Sequence, residues 1–410
     1  MLKLKNIFSI KELIIIFFIF TAIIYSTSLH YANSPPNDTF EPGQFLTETP
    51  SYDGGDPVLD KYFKNRGVFY KKFFSDGKWS EEFHPRDLTG WNDMWKNTAM
   101  SADNAYYILY AAYYAGLIEK IDYSVEGANL SMAVHKYRIL MPFMVGKLCS
   151  ISKIFDAKNY SWSEKYYSVI VYLYIILNFI FILTTAFLFM FFLINIFSFS
   201  KYLSIIGSIL FLTLPIVTKS TGFPQSEPIA LLITLLLFTT TFYNRKFLYL
   251  IFSFLGLLTK DLFVFTSVLW IFNFNFFKEK KIIKYLKHIL IGIIPIIFFI
   301  LIRLIVSDDG IIETRGSYDI LKGDLPPWTV TSNFYYHFEK LFLVFTFLWL
   351  GLVNLKESEF LKKSTATLVF LTLISLWIAR GSGIERHVGL MYPLVIPCFL
   401  FFFHKNLKIK

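Results

Sequence analysis

The chain has 410 residues, 55% of them hydrophobic, 20% aromatic and only 17% charged. That is too little charge to cover a water-soluble surface of this size, so the composition excludes an ordinary soluble domain and points to a protein solvated largely by lipid. The net charge of +10 does not signal nucleic acid, because Lys and Arg stand in short clusters between apolar runs, as the positive-inside rule produces.

A helix that crosses the ~30 Å hydrocarbon core needs roughly 20 apolar residues. In chain order, apolar runs occupy 8–26, 166–198, 202–218, 227–243, 246–259, 262–277, 288–306, 337–354, 365–379 and 388–404. The first is read as an uncleaved anchor rather than a signal peptide, since the stretch is long and its cleavage context poor. The fifth and sixth are short and separated only by Thr259-Lys260-Asp261. Charge favours reading them as two. With Lys3 and Lys5 inside, alternation places Lys201, Arg245-Lys246, Lys278, Lys280, Lys281, Lys284, Lys287, Lys356, Lys362, Lys363 and the tail Lys405, Lys408 and Lys410 inside as well. Removing one short run would invert the later loops. The expected architecture is therefore an all-α polytopic membrane protein, one integral membrane domain of about ten transmembrane helices spanning 1–410. Both termini are cytoplasmic, in the cell (inner) membrane.

Residues 27–165 then form a large first extracytoplasmic loop before the bundle at 166–404. Two amphipathic helices are expected in it, at about 101–119 and 133–152. The first opens with Ser101 and Asp103, residue types suited to a helix N-terminus. Its Tyr-rich body suits a membrane interface. Cys149 and Cys398 give no zinc spacing and no disulfide framework. The loop carboxylates show no EF-hand spacing, and neither a metal nor a cofactor is expected.

Charges at or within a membrane are costly and mark candidate sites. On the outer side the expected helix ends carry Asp103, Arg138, Glu227, Lys260, Asp261, Arg303, Arg380, Glu385, Arg386 and His387. Such a gathering suits an anionic lipid headgroup, which Arg binds as a planar fork and Lys as a point charge. Each residue also has a bland role: Lys260 and Asp261 as a turn pair, Arg138 snorkelling, Glu227 capping its helix before Pro228, Arg386 and Glu385 as a surface pair.

Five short motifs, in order over residues 100–400, resemble the GT-C superfamily of membrane glycosyltransferases, relatives of the protein O-mannosyltransferases and the lipid A aminoarabinose transferases. They are Asp103-Asn104-Ala105-Tyr106-Tyr107, Tyr137-Arg138-Ile139-Leu140-Met141-Pro142, Ser226-Glu227-Pro228, Lys260-Asp261, and Arg386-His387 followed by Tyr392-Pro393. The resemblance implies a sugar carried on a polyprenyl phosphate at the outer leaflet and a glycan, lipid or protein acceptor. It implies Asp103 as the base, with Tyr137, Arg138, Glu227, Lys260, Asp261, Arg380 and Arg386 binding substrate. The interval before Asp103 is longer than in relatives, and it holds Tyr52-Asp53-Gly54-Gly55. Asp53 is therefore the alternative base, against its reading as a plain turn.

The chemistry stands on its own terms. An acceptor hydroxyl needs a carboxylate to take its proton, and a departing lipid phosphate gains charge that fixed cations stabilise. Two rivals remain: a surface-polysaccharide polymerase or ligase, whose large external loop usually comes late in the chain, and a lipid-linked sugar transporter or flippase, which calls for ionisable groups at mid-membrane.

Overall fold

The computed structural model describes residues 8–33, 102–116, 138–151, 165–222, 224–273, 282–306, 331–378 and 384–406. Every element among them is a helix, as the apolar runs predict. The chain divides into two compact units. One comprises Met1–Ser26, Phe179–Thr218 and Glu227–Lys410, the other Thr27–Asn178 and Lys219–Ser226.

In the larger unit, α1 (Ile10–Asn33) sets Phe20 against Phe187, ring centroids 5.3 Å apart. Phe187 lies on α4 (Lys165–Phe197), whose 33 residues contain no Gly or Pro to interrupt the helix. Ser198, in the left-handed region (φ 57°), turns the chain. Ser200 then caps α5 (Lys201–Leu212) by accepting from the Leu203 amide.

The run expected at 202–218 is not one straight helix. It breaks after Leu212, and α6 (Pro215–Thr221) leaves at 59°. Pro215 has no amide to donate, so it suits the first position of a new helix and stops the old one.

Next come α7 (Glu227–Phe242) and α8 (Lys246–Leu257), joined by a turn in which Asn244 adopts φ 53°. The turn at Thr259-Lys260 does separate two helices. After it, a 3-10 turn (Asp261–Val264) runs into α9 (Phe265–Phe272). The approach of α8 to this turn is close: a Cβ on Gly256 would sit 2.3 Å from the Phe263 ring.

In α10 (Ile282–Val306), His288 shares a 2.7 Å hydrogen bond with the Trp270 carbonyl in the last turn of α9. That carbonyl also accepts from the Asn273 amide at 3.3 Å, so His288 adds a second partner from a neighbouring helix at the end of α9. The aromatic column Tyr249–Trp270–His288 stacks at 4.3 and 5.1 Å.

The expected helix at 337–354 contains a change of winding. α11 (Thr331–Phe345) gives way to a 12-residue 3-10 segment, Thr346–Glu357, beginning at φ 48° on Thr346. That value is strained for a β-branched residue. The 3-10 segment lies tight on α14 (Tyr392–Asn406). A Cβ at Gly351 would meet the Phe399 backbone at 2.4 Å, and Asn354 donates to the Cys398 carbonyl at 3.1 Å. Between them run α12 (Glu359–Ile378), α13 (Ile384–Val388) and the 3-10 turn Gly389–Met391.

Ion pairs tie several helix ends together. Lys201 pairs with Glu12 and Lys405 with Glu357 at 2.5 Å, while the Phe199 ring packs on Phe401 and His404.

The smaller unit holds α2 (Ala102–Ala115), α3 (Leu140–Ile151) and the start of α4. The helix expected at 101–119 ends earlier because Gly116 takes φ 76° and its amide returns to the Tyr113 carbonyl, a left-handed stop. The helix expected at 133–152 begins at Leu140; Arg138 and Ile139 are not helical, and residues 133–137 lie outside the described residues. This start puts Pro142 in the first turn, where its missing amide costs nothing. α2 and α3 touch through Gly146, whose added Cβ would lie 2.5 Å from the Ala111 carbonyl.

Among the described residues, five helical stretches are long and apolar enough to cross a membrane: Ile10–Thr27, Tyr172–Phe197, Ile282–Ile305, Phe338–Glu357 and Arg386–Lys405. A sixth results if the bent pair α5–α6 counts as one span. Their outer faces carry unburied large apolar side chains, such as Ile14, Phe18, Ile297 and Leu301, consistent with lipid as the solvent.

Candidate functional site

The larger unit gathers charge at the start of α7. Glu227 and Pro228 form its first turn, where a carboxylate is favoured by the helix dipole. The Glu227 side chain is only 2% exposed. Lys260 is extended (φ −154°, ψ 137°) just before the 3-10 turn, and its Nζ donates to Glu227 Oε1 at 2.7 Å. Its side chain is 4% exposed. Arg386, on α13, brings Nε to 3.7 Å from the same Oε1 and remains 31% exposed. One buried carboxylate thus faces two cations, one sequestered and one reaching solvent.

A second pair lies alongside in sequence. Arg303 in the last turn of α10 holds Asp261 Oδ2 at 2.5 Å. Its guanidinium rests 5.4 Å from the Phe299 ring centroid, one helical turn earlier. The side chains are 2% and 26% exposed, respectively. Lys260 and Asp261 therefore do not pair with each other in their turn, the bland alternative; each reaches a different helix. Among the described residues, Glu227 and Asp261 thus gather three cations, of which Arg386 is the most exposed.

The smaller unit holds a hydrogen-bonded cluster built on tyrosine hydroxyls. Tyr107 Oη and Ser226 Oγ lie 2.8 Å apart, Arg138 Nη1 donates to Tyr107 Oη at 3.4 Å, and Tyr174 Oη donates to the Tyr107 carbonyl at 2.8 Å. The Tyr107 and Tyr174 rings meet edge-on at 6.4 Å. Asn178, one turn beyond Tyr174, donates to the Ser220 carbonyl at 3.3 Å. Arg138 is thus held by hydrogen bonding inside the unit, which goes beyond snorkelling.

Of the residues expected at a site, Glu227, Lys260 and Arg386 come together, Asp261 is joined to Arg303, and Arg138 belongs to the tyrosine cluster. Asp103 lies in the first turn of α2, but its side chain lies outside the described residues. Asp53, Tyr137 and Arg380 lie outside them altogether. Sequence reasoning missed the Arg303–Asp261 pair, although a lone Arg in a 25-residue apolar helix is a signal that it must have a partner. It also missed the Tyr107–Ser226 pair, for which nothing local provides a cue.

No family model, no curated protein and no solved structure matches the chain.

Proposed function

We propose that the chain is a GT-C-type membrane glycosyltransferase with ten crossings, which transfers a sugar from a polyprenyl-phosphate donor to a glycan, lipid or protein acceptor at the extracytoplasmic face. One observation carries the proposal: Lys260 and Arg386 converge on the buried carboxylate of Glu227, and Arg386 is 31% exposed. A buried carboxylate orients the two cations and lies against a desolvated Lys260, so an arriving phosphate meets a preformed positive site rather than two mobile side chains. A glycan polymerase or ligase would need the same donor chemistry, but the early position of the long polar segment favours the transferase.

In this reading the acceptor oxygen attacks the anomeric carbon as the bond from that carbon to the phosphate oxygen breaks. The proton passes to Asp103, with Asp53 as the alternative, and the electron pair leaves on the lipid phosphate. Lys260 and Arg386 offset the charge that develops there. Glu227 holds those cations in place, Asp261 pairs with Arg303 beside them, and Tyr137, Arg138 and Arg380 are further substrate contacts. The ten-crossing layout is supported by ion pairs that link segments assigned to the inside, Glu12 with Lys201 and Glu357 with Lys405.

The transporter reading keeps one point in its favour, the 59° break between α5 and α6, since carriers use broken helices. The discriminating experiment reconstitutes the protein with labelled polyprenyl-phosphate sugars of several kinds and follows both sugar transfer and movement of the intact lipid across the vesicle wall. The proposal expects transfer, with Asp103→Asn lowering its rate by roughly 10²–10⁴ while membrane insertion is unchanged. Movement of the lipid without transfer would instead establish a carrier, and full transfer by Asp103→Asn would remove Asp103 as the base.

A further inference from the structure

We propose that Arg303 and Asp261 form a positioning device for Lys260: Arg303 clamps the turn from one side so that Lys260 is aimed at Glu227 on the other. The functional consequence rests on the donor-phosphate reading above; the mechanical coupling does not.

Lys260 and Asp261 are consecutive, yet their side chains end on different helices, Lys260 on α7 and Asp261 on α10. The extended backbone of Lys260 makes this possible, because successive side chains of extended chain point to opposite sides. The turn between them is stitched by backbone hydrogen bonds. The amides of Thr259 and Lys260 both donate to the Gly256 carbonyl at 2.8 Å, and the Phe263 amide donates to the Lys260 carbonyl at 3.1 Å. A rotation of the turn that swings Asp261 therefore swings Lys260 as well. The Lys side chain is a flexible four-carbon stem, so the direction of its ammonium depends on how firmly the turn is held. Arg303 is suited to hold it. Its guanidinium is 2% exposed, so it has little access to water and is strongly bound to a carboxylate partner. It is also braced against Phe299 at 5.4 Å. The ordinary alternative, an ion pair that stabilises helix packing and nothing more, makes a different prediction.

The test uses the full-length protein in nanodiscs and measures two quantities: the thermal unfolding midpoint, and the affinity for polyprenyl phosphate against unphosphorylated polyprenol as the control. Asp261→Asn strands the buried Arg303, and Arg303→Gln leaves the part-buried Asp261 without that partner, so either is expected to lower the midpoint. Each is also expected to weaken phosphate binding by about tenfold, the loss typical when the group orienting a binding residue is removed. The decisive variant is the double substitution Asp261→Asn with Arg303→Met, which removes both charges together and so recovers stability. A positioning pair predicts that the midpoint returns while phosphate affinity stays about tenfold down. Recovery of both quantities would show the pair to be merely structural and overturn the proposal. Arg303→Lys, which keeps a charge for Asp261, is expected to retain most of the affinity.

A wild-type protein that binds the phosphate no better than the alcohol would sink the donor reading. The positioning claim is then decided without ligand by combining Glu227→Gln with Asp261→Asn. The midpoint shift of this pair is expected to be clearly smaller than the sum of the single shifts, because the turn transmits one loss to the other. Additive shifts would overturn the claim.

Discussion

Two clusters among the described residues, one in each unit, bury polar groups among apolar helices in different ways. The described cluster in the smaller unit uses neutral oxygens, with Tyr107, Ser226 and Tyr174 bonding to one another and to backbone, and Arg138 joins at 3.4 Å. The cluster in the larger unit uses full charges: Glu227, Lys260 and Arg303 are at most 4% exposed, and Asp261 is 26% exposed. A neutral hydrogen bond is worth about 1 kcal/mol net, and a neutral partner left unsatisfied costs about 1–3 kcal/mol. An ion stranded in an apolar interior costs more. A chain that needs only to pack has no reason to accept the second arrangement, which is why the charged group, with its solvent-reaching Arg386, carries the functional reading.

The contrast can be tested by removing one member at a time. The largest effect is expected at Glu227: replacing it by Gln leaves Lys260 buried against a neutral amide and should cost about 3–5 kcal/mol, read as a lowered unfolding midpoint in detergent. A smaller loss, of about 1–3 kcal/mol, is expected for Gly351→Ala, because the new methyl would collide with the Phe399 backbone rather than a movable side chain. Tyr107→Phe removes one hydroxyl from the tyrosine cluster and should cost only about 1 kcal/mol. If Tyr107→Phe proved as damaging as Glu227→Gln, the distinction between the clusters would collapse. The smallest stability effect is expected for Arg386→Gln, since Arg386 is 31% exposed and its ion pair is long at 3.7 Å; such pairs contribute about 0–1 kcal/mol. The same substitution should nevertheless impair phosphate binding most.

Much of the helical layout is legible in the sequence, because an apolar run bounded by charge leaves the chain no alternative to helix in lipid. Pro215 and Gly116 show how single residues redraw the boundaries: one breaks a run at its middle, the other ends a helix four residues early. The 3-10 winding from Thr346 carries no such mark. It follows from the close seat of Gly351 on Phe399, a tertiary contact that local pattern does not encode. The same holds at the site. Glu227, Lys260, Asp261, Arg303 and Arg386 all stand out as charges where charges are expensive, yet who pairs with whom depends on helix packing. The neighbours Lys260 and Asp261 look like a pair in sequence and instead reach α7 and α10. Tyr107 and Ser226, separated by more than a hundred positions, give no sign of meeting.

The central claim, that the Glu227–Lys260–Arg386 group receives a lipid phosphate, is tested most directly by equilibrium binding of polyprenyl phosphate and of polyprenol to the wild type and to Arg386→Gln in nanodiscs. The account predicts that the wild type prefers the phosphate, and that Arg386→Gln loses this preference while its unfolding midpoint stays within experimental scatter of the wild type. Equal binding of phosphate and alcohol by the wild type, or an undiminished preference in Arg386→Gln, would contradict it.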